Sequence, residues 1–245
     1  MLRSEWIKAR TVRVNFVLTA IGAGFPIIIV TLVAALGRVH DDTGTNLGGV
    51  VTGTMTLTSL LFAVVGALNL TSEFSHGTIR VTFAATPQRS RVLLAKAAVS
   101  VMATIVAMLV VEVVSFLIGA LILDGRGVDV KLRHQDVAAL VGEIALAVML
   151  TLLGYGLGLL IRNSPATISI LILWPLLLES LVRVVLNAAG VHNQTPWLPY
   201  QSAILLGNPD PDPGDPGRLH NVLYLGTIVV VCVIFGLFLN ERRDA

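Results

Sequence analysis

Charged side chains are scarce in this chain, since Asp, Glu, Lys and Arg make up 13% of its 245 residues. A soluble domain carries about 25% charged residues, so this composition excludes an ordinary water-soluble protein. Hydrophobic residues account for 55% of the chain. They form runs of about 20 residues, each long enough to cross roughly 30 Å of hydrocarbon as a helix. The composition therefore predicts a membrane protein with several spans.

Several chemical motifs are absent as well. The single cysteine, Cys232, lies inside an apolar run and excludes an intrachain disulfide. The sequence has no G-x-x-x-x-G-K-[ST] phosphate-binding loop, no G-x-S-x-G nucleophile elbow and no H-E-x-x-H pair. Its five histidines are scattered over the connecting segments without ligand spacing. We therefore expect neither an enzyme nor a chain that binds a cofactor or metal ion of its own.

Six long apolar runs are present, and we predict an all-α polytopic fold with one domain over residues 1–245. The expected spans are approximately 14–36, 50–70, 94–123, 137–161, 165–189 and 222–240. The connecting segments then alternate between two sides, of which one carries 11 positive side chains and the other five. Because cytoplasmic loops attract Lys and Arg, both termini are expected to be cytoplasmic.

A polar, basic segment, SEFSHGTIRVTFAATPQR (72–89), separates the second and third apolar runs. Gly77 permits a sharp turn, and residues 78–85 suit one or two helical turns along the membrane surface. Thr86 and Pro87 can begin the next helix, which would be roughly 50 Å long and would start beyond the hydrocarbon core. We therefore expect a short transverse helix on the cytoplasmic side. A plain positively charged loop is the alternative interpretation.

Three other connecting segments carry structural signals. The leader MLRSEWIKARTVR indicates a short interfacial helix, although a simple positive anchor explains it nearly as well. Residues 196–207 are expected to dip back into the bilayer edge from the external side. At the short fourth connection we expect Ser164 to cap the following helix. Gly154 and Gly158, just before it, have the spacing that lets helices pack closely in lipid.

Four charged side chains lie more than three residues inside the predicted spans: Glu112, Glu143, Glu179 and Arg183. A charge at the bilayer centre costs about 2.5–3.5 kcal/mol on insertion scales, so each group needs a partner. Glu179 and Arg183 are four residues apart on one helix face and can pair with each other. Two roles remain open for this pair and for Glu112: a structural clamp between helices, or part of the lining of a translocation path. Glu143 is expected at the membrane interface.

The pattern E-x-x-x-G-T-I-R-x-T-x-x-x-T-P-x-R-x-x-x-x-x-A-K, from Glu73 to Lys96, closely resembles permease subunits of the ABC-2 type transporter family. The leader LRSEWIKARTVR, WPLLLESL in the fifth run and WLPYQSA after it are similar to the same family. The resemblance covers essentially the whole chain. It implies the permease subunit of an ATP-driven exporter, with MgATP bound in separate subunits.

In this family the first cytoplasmic loop is a coupling helix that docks in a groove on the ATP-binding subunit. The resemblance implies that Ile79 and Phe83 fill the groove while arginines face acidic groups. The residues assigned to this contact are Glu73, His76, Gly77, Thr78, Ile79, Arg80, Phe83, Pro87 and Arg89. The leader would be an interfacial elbow helix with Trp6, Lys8 and Arg10, and residues 196–207 would correspond to the family's external helices.

The implied assembly has two permease subunits, identical or homologous, and two ATP-binding subunits in the bacterial plasma membrane, in contact with lipid and without nucleic acid. An amphipathic or hydrophobic drug, lipid or peptide would suit the apolar path. One rival is a secondary transporter driven by protons through Glu112 and Glu179, which would need no ATPase. A membrane-embedded enzyme or scaffold is a second rival, disfavoured by the lack of clustered catalytic groups.

Overall fold

The computed structural model describes residues 13–40, 43–75, 77, 89–191 and 194–243. This part of the chain contains helices and turns and no strand. The helices are α1 (Arg13–Leu36), α2 (Thr43–Ser75), α3 (Arg89–Gly125), α4 (His134–Ile161), α5 (Ser164–Leu173), α6 (Glu179–Ala188), α7 (Pro199–Ile204) and α8 (Arg218–Arg243).

Within the described ranges, six segments are long and apolar enough to cross a membrane, which confirms the predicted number of spans. They are α1 to α4, a composite fifth span over Ser164–Ala188, and α8. The fifth span joins α5 to α6 through a π-helical turn, Trp174–Leu178, that contains Pro175. A proline and a π-turn both interrupt regular helix geometry, so the fifth span is irregular at this turn.

The centre of the bundle is the pair α2 and α4. In their most apolar 18-residue stretches, these helices bury 61% and 56% of their residues, against 17% in α1, the fifth span and α8. A Cβ atom added to Gly154 of α4 would overlap the carbonyl oxygen of Ala63, and one added to Gly66 of α2 would overlap that of Thr151. The two backbones are therefore in direct contact. This confirms the close packing predicted from the Gly154 and Gly158 spacing.

The helices on either side of residues 76–88 are longer than a bilayer requires. α2 has 33 residues and α3 has 37, which correspond to roughly 50 and 56 Å. The chain leaves α2 at Gly77, whose φ of 68° and N–H bond to the Phe74 carbonyl oxygen confirm the predicted turn. We call this end of the bundle the loop end and the opposite end the distal end.

Much of the predicted contact with the ATP-binding subunit lies outside the described residues. This applies to the transverse helix expected over 78–85 and to the elbow residues Trp6, Lys8 and Arg10. It also applies to His76, Thr78, Ile79, Arg80, Phe83 and Pro87, and to the side chain of Arg89, which begins α3. These assignments therefore stay predictions.

A tight link connects α4 to α5 at the loop end. Arg162 has a φ of 56°, in the left-handed region, and its N–H donates to the Gly158 carbonyl oxygen at 3.0 Å. The side chain of Asn163 accepts from the Ala166 N–H at 3.0 Å, so Asn163 is the N-cap and the prediction of Ser164 is wrong. Both residue types cap helices well. Ser164 instead donates its hydroxyl to Thr71 of α2 at 2.8 Å.

Candidate functional site

The segment that follows α6 turns back into the bundle at the distal end. We call residues 194–208 the re-entrant segment. The carbonyl oxygen of Leu206 occupies the place of a Cβ on Gly142, and Gly207 lies directly against the Glu143 side chain. Gly142 is eight residues into α4, or about 12 Å along its axis. The segment thus descends to the level of the spans, as the sequence predicts for residues 196–207.

Glu179 holds the re-entrant segment in place. One carboxylate oxygen accepts from the Trp174 indole N–H at 2.8 Å, and both accept from the Tyr200 N–H at 2.9 and 3.1 Å. The Gln201 N–H donates at 2.9 Å. These backbone donors are the unpaired first N–H groups of α7, where the helix carries partial positive charge. With 1% of its surface exposed, Glu179 is a buried anchor that joins α6 to α7.

The predicted pairing of Glu179 with Arg183 is wrong. No salt bridge joins these two side chains, both of which lie within the described residues. Arg183 is exposed, and its guanidinium donates to the Gln201 side-chain oxygen at 3.5 Å. The N–H groups of α7 reach the buried carboxylate, whereas the long arginine side chain extends toward the surface. Helical spacing alone could not show this, because the competing donors come from another segment.

Glu143 and Glu112 lie inside the bundle. Glu143 is 1% exposed and accepts hydroxyl hydrogen bonds from Thr56 at 2.9 Å and Ser59 at 3.5 Å. Glu143 is thus covered by α2 and Gly207, while its expected position at the membrane interface stays a prediction. Glu112 is 5% exposed and lies within electrostatic range of Glu143. Among the described residues its Oε1 atom has no hydrogen-bond partner, nor has the Ser115 hydroxyl.

Our sequence analysis missed the neutral partners of these carboxylates. Thr52, Thr56 and Ser59 recur at intervals of four and three residues in α2, and this spacing marks one helix face. That periodicity could have indicated a polar face of α2 that packs against another helix. The backbone donors of Tyr200 and Gln201 gave no such signal, because every residue other than proline carries an N–H group.

An apolar cavity of about 250 Å³ lies beside Glu179, between α2, α4, the fifth span, α7 and α8. Its floor includes the buried side chains of Leu150 and Leu225, and Pro199 and Tyr200 border it on the distal side. Burial, followed by the negative charges of Glu143 and Glu179, raises the pKa of the Tyr200 hydroxyl. A tyrosine hydroxyl is neutral in the physiological range even at its ordinary pKa of about 10, and the shift takes it further from ionisation.

At the loop end, polar contacts connect the helices that flank residues 76–88. Lys96 of α3 forms a buried ion pair with Glu73 of α2, with 2.7 Å between Nζ and Oε1. The guanidinium of Arg162 lies 4.9 Å from the ring centroid of Phe74, and its NH2 group donates to Asn240 of α8. Glu73, one of the predicted coupling residues, thus contacts α3 within the chain. The ends of α2, α3, α4 and α8 are joined there.

Comparison with known proteins gives one family match. A family model described as "ABC-2 family transporter protein" matches residues 1–178, which comprise α1 to α5 and the π-helical turn. The match thus covers well over half of the 245 residues. A search of curated proteins finds no matching relative.

Proposed function

We propose, on the premise that this chain belongs to the ABC-2 transporter family, that it is the permease subunit of an ATP-driven exporter. Membership identifies a transport component associated with ATP-binding subunits. In more detail, we propose that the complex contains two ATP-binding subunits that bind MgATP and a second permease subunit. The permeases would form a path for an amphipathic or hydrophobic substrate. The loop end would face the cytoplasm of a bacterial cell, with both termini on that side.

The observation that carries this proposal is the connection between residues 76–88 and the centre of the bundle. These residues join two helices of roughly 50 and 56 Å, and one of them, α2, forms the core with α4. The buried ion pair between Glu73 and Lys96 ties the two helices together beside the loop. A protein that binds this loop and moves it would therefore displace α2 and α3 as a unit.

A proton-driven transporter is the second candidate, and the environment of Glu112 favours it. This buried carboxyl group lies near Glu143 and has an oxygen without a partner among the described groups. Intramembrane carboxyl groups of this kind form proton relays in pumps and transporters. Such a transporter would work without an ATP-binding subunit, so the two candidates differ in whether a partner is required.

Charge reversal in the loop tests the first candidate. We expect Arg80→Glu to reduce recovery of the ATP-binding subunit and to abolish ATP-dependent transport. A lost charged contact at an interface costs about 2 kcal/mol or more, or roughly 30-fold in affinity. The measurement is purification of the tagged chain from its own membranes in mild detergent, with partners quantified by mass spectrometry.

Lys131→Glu provides the matched control, because it makes the same charge change at an exposed position at the distal end. This variant should keep the partner in full. Recovery of a wild-type chain without any ATP-binding protein, under conditions that preserve other complexes, would favour the proton-driven candidate. If the Arg80→Glu chain keeps both the partner and the transport activity, the loop takes no part in coupling.

A further inference from the structure

We propose that the cavity beside Glu179 is a binding site for one hydrocarbon chain of an amphiphile that enters sideways from the bilayer. That this amphiphile is the transported molecule rests on the proposed function. The site itself rests on the shape, chemistry and size of the cavity and on the way its distal side is closed.

The shape of the cavity gives access from the lipid-facing surface. Ile170 and Trp174 of the fifth span lie at its open side and are 44% and 49% exposed. Leu150 and Leu225 lie at the bottom and are 3% and 2% exposed. The fifth span and α8 bury few of their own residues within the chain, so their outer surfaces are suited to contact lipid. The cavity therefore runs from a hydrocarbon-facing opening to the interior of the bundle.

The lining excludes a charged occupant. Among the described residues that line the cavity, Glu179 is the only ionisable acid or base apart from the phenol of Tyr200 and the thiol of Cys232. Both Glu179 oxygens already accept N–H hydrogen bonds, and the Tyr200 phenol is neutral in the physiological range. An anionic ligand group would find no counter-charge here, and a cationic group would have to compete with these N–H donors for the Glu179 carboxylate, so a charged group in this apolar site is unfavourable. A saturated chain meets no such penalty.

The volume is large enough for hydrocarbon but too small for a whole amphiphile. Engineered apolar cavities of about 150 Å³ remain dry and accept benzene, so a cavity of about 250 Å³ is large enough to bind hydrocarbon. Sites that enclose whole drug-sized ligands have volumes of about 300–1,000 Å³. The rest of the amphiphile, including its polar group, therefore stays outside the cavity.

The re-entrant segment closes the distal side. Pro199 and Tyr200 lie over the cavity, and the Glu179 hydrogen bonds hold the start of α7. Ser202 donates to Asn221 of α8 at 2.7 Å, and the Tyr224 hydroxyl donates to the Trp197 carbonyl oxygen at 2.9 Å. A chain that enters from the bilayer is thus retained, and its passage to the distal side requires these contacts to open.

Photolabelling tests the site directly. The purified full-length chain is reconstituted in phosphatidylcholine vesicles that contain a phosphatidylcholine with a diazirine in its acyl chain. After irradiation, adducts are mapped by mass spectrometry. We expect adducts on the floor residues Leu150 and Leu225, in addition to adducts on lipid-exposed residues such as Leu181 and Val230. Adducts confined to exposed residues would overturn the proposal.

Two variants that fill the cavity complete the test. Leu171→Phe and Leu225→Phe should each lower labelling of Leu150 at least fivefold and leave labelling of Leu181 and Val230 unchanged. Either folded variant suffices, and unchanged Leu150 labelling in it would overturn the proposal. The experiment needs no ATP and no partner. Floor labelling in a chain that purifies without an ATP-binding subunit would support the site while contradicting the exporter proposal.

Discussion

At the residue scale, three glutamates inside the bundle differ in the hydrogen-bond donors that surround them. Glu179 accepts N–H groups from an indole and a helix N-terminus, and Glu143 accepts two hydroxyl groups. Glu112 has an oxygen that none of the described groups contacts. Because a buried anion is stabilised in proportion to the hydrogen bonds it accepts, Glu179 is the structural anchor of the set. A role for Glu112 as packing clamp or as part of a translocation path stays a prediction.

Replacement of Glu179 should detach the re-entrant segment. Glu179→Leu leaves the N–H groups of Trp174, Tyr200 and Gln201 without their acceptor, and we expect a loss of about 3 kcal/mol in stability. Thermal unfolding in detergent measures this loss. Hydrogen exchange at the Tyr200 and Gln201 amides should also accelerate.

Arg183→Gln is the control for this anchor, since Arg183 is exposed and contributes one long hydrogen bond. Its effect should stay within about 0.5 kcal/mol. Equal destabilisation by the two substitutions would contradict the role of Glu179 as an anchor. It would instead support the ion pair between Glu179 and Arg183 that their helical spacing predicts.

At the scale of elements, the contact between α2 and α4 organises the bundle. Glycines on both helices remove the side chains that would hold the backbones apart, as at Gly66 and Gly154. Membrane helices gain little from apolar burial against lipid, so such close packing supplies much of their association. The other spans then pack around this pair, with α1 and α3 against α2, and α8 against α4.

Gly154→Ala should weaken this contact by about 1–3 kcal/mol, because the new Cβ atom overlaps the Ala63 carbonyl oxygen, a backbone atom with little freedom to move. Gly53→Ala in α2 is the matched control, since nothing lies within 4 Å of the added atom. The control should be neutral or stabilising by up to about 1 kcal/mol, because Ala favours helix over Gly. Unfolding midpoints of the purified variants compare the two. A Gly154→Ala protein as stable as the control would argue against direct backbone contact.

The six spans were predictable from the sequence because hydrocarbon requires every backbone group to be paired within a helix, and long apolar runs reveal where this happens. Helix ends were less predictable. The predicted span was 50–70, but the helix that contains it extends over Thr43–Ser75. The backbone partners of Glu179 were not predictable, since they lie about 20 residues away and their position depends on a turn in three dimensions.

At the scale of the whole molecule, both ends of the bundle are fastened by polar contacts. Arg126 donates to the carbonyl oxygens of Ala34 and Gly37 at the distal end. Arg133 there bridges Asp136 and Asp210. At the loop end the Glu73–Lys96 pair joins α2 to α3. Since charged groups need water or a close partner, these two polar layers mark the limits of the apolar region between them.

The orientation of the chain can be tested with introduced cysteines in a Cys232→Ser background. Asp212→Cys lies in the exposed proline-rich turn at the distal end, and Glu241→Cys lies near the end of α8. The excess of positive side chains at the loop end predicts that the position 212 thiol reacts with an impermeant maleimide on intact cells. The position 241 thiol should react only after permeabilisation. The reverse pattern would invert the proposed topology.

The central position of α2 has a consequence for biogenesis. Ribosomes release the chain from its N-terminus, so α2 enters the membrane before α4, the helix that covers its glycine and hydroxyl groups, has been made. α2 is also the least apolar of the six spans. In a nascent chain that stops before His134, the glycine and hydroxyl face of α2 is therefore not yet covered by α4. We expect the packing of α2 to be completed only when the fourth span has been inserted.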